Sequence, residues 1–127
     1  MTCFWDGILH NLKEDDFQKA FQMNKPSNKD FVKLLKNNNK KTKNTKWNGE
    51  KLSEKQLEEN FIHIKDFNEN SINNGYMCSI CDPFLILVSE IFILNINHNF
   101  CGNIMKYTND QASRTLIFKS NNSHFSG

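Results

Sequence analysis

Two side chains in this sequence suit nucleophilic catalysis: a cysteine near one end, Cys3, and a histidine near the other, His124. Cys3 opens a segment of helical pattern with Phe4 and Trp5. A helix N-terminus favours thiolate over thiol through its unpaired N–H groups and its dipole. His124 follows an apolar, strand-like run and precedes Phe125, so a rigid strand end would fix its imidazole as general base. Together they would supply the chemistry of a thiol protease, and their separation in sequence is no obstacle, because such pairs meet only in the fold.

A second constellation offers different chemistry. Cys78-x2-Cys81 followed by His98-x2-Cys101 gives three thiols and an imidazole, the ligand complement of a tetrahedral structural zinc. A buried helix of about a dozen residues, rising roughly 18 Å, separates the two pairs, so a returning strand must bring His98 and Cys101 back to Cys78 and Cys81. Free thiols without a cofactor are the preferred reading, with zinc as the alternative. His98 also ends a strand and is a rival for the general base. His10 and His63 lie on helical segments and receive no role.

The elements that must position these residues follow from periodicity. Phe4, Trp5, Ile8, Leu9 and Leu12 recur at helical spacing. Asp15 or Asp16 starts a second helix carrying Phe17, Ala20 and Phe21, and Pro26-Ser27 a third with Phe31, Leu34 and Leu35. From Lys36 to Lys51 the chain is mainly Asn, Lys and Thr with Trp47 as its one large apolar residue, which predicts a mobile, basic surface loop. Ser53 and Gln56 form a capping box ahead of Leu57, Phe61 and Ile64, and Asn68 to Gly75 breaks that helix. Asp82 and Pro83 read as N-cap and first residue of a helix apolar nearly all round.

After that helix the period becomes two. A strand through Ile93 to His98, a turn at Cys101-Gly102-Asn103, a strand at Ile104 to Tyr107 and another at Thr115 to Lys119 predict an antiparallel meander. Asn121-Asn122-Ser123 is the last turn before His124. Helices first and strands last give an α+β domain, with N-terminal helices packed on a small C-terminal antiparallel sheet.

Length and composition bound the rest. The 127 residues suffice for one domain, 1–127, whose core draws on 38% hydrophobic residues including 11 Phe. A net charge of +2 gives no argument for nucleic acid or a membrane surface. The run Pro83 to Leu94 is interrupted by Ser89 and Glu90 and falls short of the roughly 18 to 20 apolar residues of a membrane span. Four cysteines without a signal peptide fit a reducing, cytoplasmic setting.

Several pieces, in order, resemble the OTU (ovarian tumour) cysteine proteases, and the small size looks most like the viral OTU-like type. They are Thr2-Cys3-Phe4-Trp5-Asp6-Gly7-Ile8, Gly75-Tyr76 ahead of Asp82-Pro83-Phe84-Leu85, Asn95-Ile96, Ile104 to Tyr107, and Leu116-Ile117-Phe118 leading to Ser123-His124-Phe125. The resemblance implies a papain-like fold and cleavage of isopeptide or peptide bonds at the Gly-Gly end of ubiquitin or a ubiquitin-like modifier. Cys3 would attack as thiolate, and His124 would keep it deprotonated and then protonate the leaving amine. Backbone N–H groups of Thr2 and Cys3 would hold the oxyanion. In the family order His124, after the last strand and before Phe125, takes precedence over His98.

The sequence departs from the family pattern in two places. Family members usually carry Asp three residues before the nucleophile, whereas this sequence starts two residues before Cys3. The position that often holds a His-orienting Asp or Asn is Ser126, leaving Ser126, Asn121 or Asn122 to orient the ring. The expected protein is a monomeric deubiquitinase of the cytoplasm, the host's if viral. Its partners would be ubiquitin conjugates, without nucleic acid or membrane. The alternatives are a viral protease that processes its own polyprotein, and a non-catalytic module that binds ubiquitin or is stapled by zinc.

Overall fold

The computed structural model describes residues 3–72, 81–121 and 124–126, with the backbone alone at residues 3, 71 and 81. The first helix, α1, runs Cys3–Asn11 and turns Phe4, Trp5, Ile8 and Leu9 inward, as their spacing requires. Trp5 anchors it, meeting Phe84 edge-on at 4.8 Å between ring centroids and Phe31 at 6.2 Å. The second helix, α2 (Glu14–Phe21), starts where Asp16 accepts the Lys13 N–H at 2.6 Å. In α3 (Asn28–Asn37), Ser27 caps the Asp30 N–H. In α4 (Glu54–Asp66), Ser53 and Gln56 close the capping box reciprocally at 2.8 and 3.1 Å.

The stretch from Lys36 to Lys51 is not a loop throughout. It carries β1 (Thr45–Trp47) and β2 (Glu50–Lys51), joined by Asn48 and Gly49 with φ of +52° and +86°. Both central residues of a two-residue type I′ hairpin need positive φ, and Asn-Gly is the pair that adopts it most readily. Asn48 extends the pairing, since its N–H donates to the Lys106 carbonyl and its Oδ1 accepts the Lys106 N–H. The composition of the segment hid this local signal.

The buried helix α5 spans Cys81–Phe92, which puts Asp82 in its first turn rather than at its cap. Phe84, Leu85, Ile86, Leu87 and Val88 are all buried, as a helix apolar on every side must be. It stops at Ile93, whose φ of +55° is uncommon for a β-branched residue. Ser89 secures the exit by donating its hydroxyl to the Leu94 carbonyl at 2.7 Å.

Strands β3 (Asn95–Phe100), β4 (Asn103–Asn109), β5 (Thr115–Ser120) and β6 (Phe125–Ser126) complete a six-stranded sheet of order β2-β1-β4-β3-β5-β6. The sheet is mixed, not the expected antiparallel meander. The pair β3/β4 is antiparallel, but β5 lies parallel to β3. The cause is occupancy: β1 takes the outer edge of β4, so the chain leaving β4 finds its free edge on the far side of β3. Ile96, His98, Tyr107, Leu116 and Phe118 face the helices and are buried, while Ile104 and Ile117 point the other way and are 57% and 60% exposed. The molecule is therefore an α+β fold with its helices on one face of the sheet.

Two polar clamps tie the layers together. Arg114 grips Asp16 with both guanidinium arms, at 2.6 and 2.7 Å, and donates to the Asn11 carbonyl as well. Glu90 on α5 accepts from the Asn44 N–H, the Asn44 amide and the Thr45 hydroxyl, which fastens the start of β1 to the helix. Among the described residues no helix is long and apolar enough to cross a membrane.

Candidate active site

The beginning of α1 and the strand β6 are neighbours. Their contact centres on Phe4 and Phe125, 2% and 1% exposed, whose rings meet edge-on at 4.8 Å between centroids. Cys3 immediately precedes Phe4 as the first residue of α1, and His124 immediately precedes Phe125. The two ends of the chain are thus joined one residue from each candidate catalytic group. Phe125 is wedged further against Phe118 at 5.0 Å, so β6 is anchored by a ring rather than by its length.

His124 itself is exposed. Its main chain is held by a closed turn: the His124 N–H donates to Asn121 Oδ1 at 2.9 Å, and the Asn121 N–H donates to the His124 carbonyl at 2.9 Å. Strand alternation with buried Phe125 between them puts His124 and Ser126 on the same, outward side of β6. Ser126 is therefore on the side where an orienting group would have to lie, while Asn121 acts on the backbone. Thr2, Asn122 and Ser123 lie outside the described residues, as do Gly75, Tyr76 and Cys78.

Of the alternative zinc ligands, Cys81 opens α5, and His98 and Cys101 do not form a pair. His98 is 1% exposed and turned into the core, with Nε2 at 2.6 Å from Ser120 Oγ, whereas Cys101 is exposed in the β3–β4 turn at a φ of +51°. Among the described residues, no three His, Cys, Asp or Glu side chains cluster as a metal site. Burial also separates the two candidate bases, because an imidazole shut under Phe125 cannot reach a substrate that an exposed one can.

His98 has its own electrostatics. Burial pushes its pKa below the ordinary histidine value, and the Asp82 charge at the start of α5 pulls the other way without prevailing. Among the described residues its Nδ1 finds no hydrogen-bond partner. Its ring lies 5.4 Å from that of Phe125, in the same aromatic group that holds Phe4. Sequence reasoning placed His98 as a ligand or a base and missed Ser120 altogether. The signal was the parallel register that sets Ser120 beside Phe100, and that register depends on the unforeseen strand order.

Neither a known protein family nor a curated protein nor a solved structure matches the chain.

Proposed function

We propose that this chain is a thiol-dependent hydrolase of the OTU-like kind, with Cys3 as nucleophile and His124 as general base. The observation that supports it is the contact of Phe4 with Phe125, which joins a helix N-terminus to a strand end across the whole sequence. A helix of nine residues gives its first residue the full benefit of unpaired N–H groups, both for lowering a thiol pKa and for holding an oxyanion. The exposed imidazole on a turn closed by Asn121 is free to exchange protons with a bound substrate.

The reaction proposed is hydrolysis of an isopeptide or peptide bond at the Gly-Gly end of ubiquitin or a related modifier. The thiolate adds to the carbonyl, the amine leaves with a proton from His124, and water resolves the thioester with His124 as base. The substrate assignment rests on the resemblance of the ordered sequence pieces.

The test is reaction with ubiquitin carrying a C-terminal electrophile, read by intact mass. The native chain is expected to form an adduct that Cys3→Ala abolishes and His124→Ala slows by orders of magnitude. A folded native chain that stays unmodified, or an adduct that survives Cys3→Ala, would overturn the proposal.

A further inference from the structure

The His98 imidazole holds two things at once. Its Nε2 is bonded to Ser120 Oγ at 2.6 Å, and its ring packs on Phe125 at 5.4 Å. Ser120 and Phe125 are themselves a register pair of the β5/β6 ladder, and they bracket the turn that Asn121 closes on His124. One side chain on β3 therefore grips both stems of the turn that presents His124. We infer that His98 and Ser120 are positioning residues for His124, an inference that rests on His124 being the general base.

The choice of residue supports this. At 1% exposure, an imidazole is a poor filler for an apolar space: it must be desolvated, and here Nδ1 finds no partner among the described residues. A phenylalanine or leucine would fill the same space without that penalty. What the imidazole adds over either is its single polar tether, the bond to Ser120. A part-buried tether of this kind is directional, whereas ring packing alone lets a two-residue strand slide. The Ser120 carbonyl is fixed independently by the Cys101 N–H at 3.0 Å, so the main chain of β5 is already secured and the side-chain bond acts on the turn beyond it.

The experiment uses the full chain with Ser120→Ala, which removes the tether and keeps His98, and Ser120→Thr, which restores a hydroxyl. Amide hydrogen exchange is followed at His124 and Phe125 and compared with β3 and β4. Turnover of a ubiquitin conjugate gives kcat and KM separately. Ser120→Ala is expected to speed exchange at His124 and Phe125 by about tenfold and to lower kcat by a similar factor with KM unchanged, the size of one net hydrogen bond. Ser120→Thr should return both toward native values.

Exchange in Ser120→Ala that is native at the turn, or that rises equally across the sheet, would overturn the positioning role. So would a KM change with kcat unaffected. Exchange needs no catalysis, so a native chain that forms no adduct yet loosens at the turn in Ser120→Ala keeps the seat and sinks the hydrolase.

Discussion

Removing the proton acceptor at His98 should flatten the dependence of stability on pH between neutrality and mild acid. His98 is 1% exposed and its pKa is held below the ordinary value of about 6.5 by burial, with Asp82 opposing. The folded chain therefore binds this proton less readily than the unfolded chain does. Below about pH 6.5 the unfolded state takes it up first, so stability falls with falling pH. The contribution is complete above the unfolded value and is lost as pH drops through the folded one. One proton of difference corresponds to a slope of about 1.4 kcal/mol per pH unit, which is the ceiling for a single group.

Urea unfolding at a series of pH values from 7.5 to 5, for the native chain and His98→Gln, reads this directly. Glutamine keeps a polar group near Ser120 and does not titrate. The difference in slope between the two proteins isolates His98 from the other histidines. At a typical urea m-value for small domains, the midpoint of the native chain should fall more steeply with pH than that of the variant, by at most about 0.5–1 M per pH unit. Parallel slopes would refute the reasoning, because they would mean that His98 is protonated equally in both states and is therefore not buried as described.

Two further perturbations test the clamps. Arg114→Ala should cost about 2–3 kcal/mol and lower Tm by about 10 °C at neutral pH, because it strands an Asp16 side chain that is only 9% exposed. Burial alone would raise the Asp16 pKa, but Arg114 and the Lys13 N–H lower it overall, so the gap between the two proteins should close as acid protonates Asp16 below its usual 3.8; calorimetry at pH 7 and pH 2.5 checks both points. Glu90→Ala removes the acceptor of three hydrogen bonds and should cost on the order of 3 kcal/mol by urea unfolding. It should also speed amide exchange in β1 more than in β5.

Local chemistry was the legible part of this fold. Ser27, and Ser53 with Gln56, announce their helices because a cap is decided within four residues. Asn48-Gly49 was equally legible as a hairpin, but the Lys- and Asn-rich run around it argued for a loop, and β4 supplied the pairing that composition could not foresee. The parallel placement of β5 was out of reach for the same reason, since it follows from which edge of β4 was already filled. The Arg114–Asp16 clamp joins residues 98 apart, a distance at which no periodicity speaks. At the candidate site, Cys3, Phe4, His124 and Phe125 stood out by type and neighbourhood, while the placement of His98 beside Ser120 follows only from register.

The same contrast bears on how the site is held. Strand β6 is two residues long and its ladder to β5 is correspondingly short, so backbone bonding alone leaves it weakly fixed. Its attachment depends on burying one phenylalanine, worth about 1.5–3 kcal/mol, together with ring contacts to Phe4 and Phe118 of about 0.5–1.5 kcal/mol each. That sum, about 2.5–6 kcal/mol, reaches at most the low end of the 5–15 kcal/mol of a typical whole domain. β6 should therefore open locally before the sheet does, carrying His124 and Ser126 with it. A proposed base carried by so short a strand needs its turn closed by Asn121 and its stem tied to β3, which is where the buried imidazole of His98 stands.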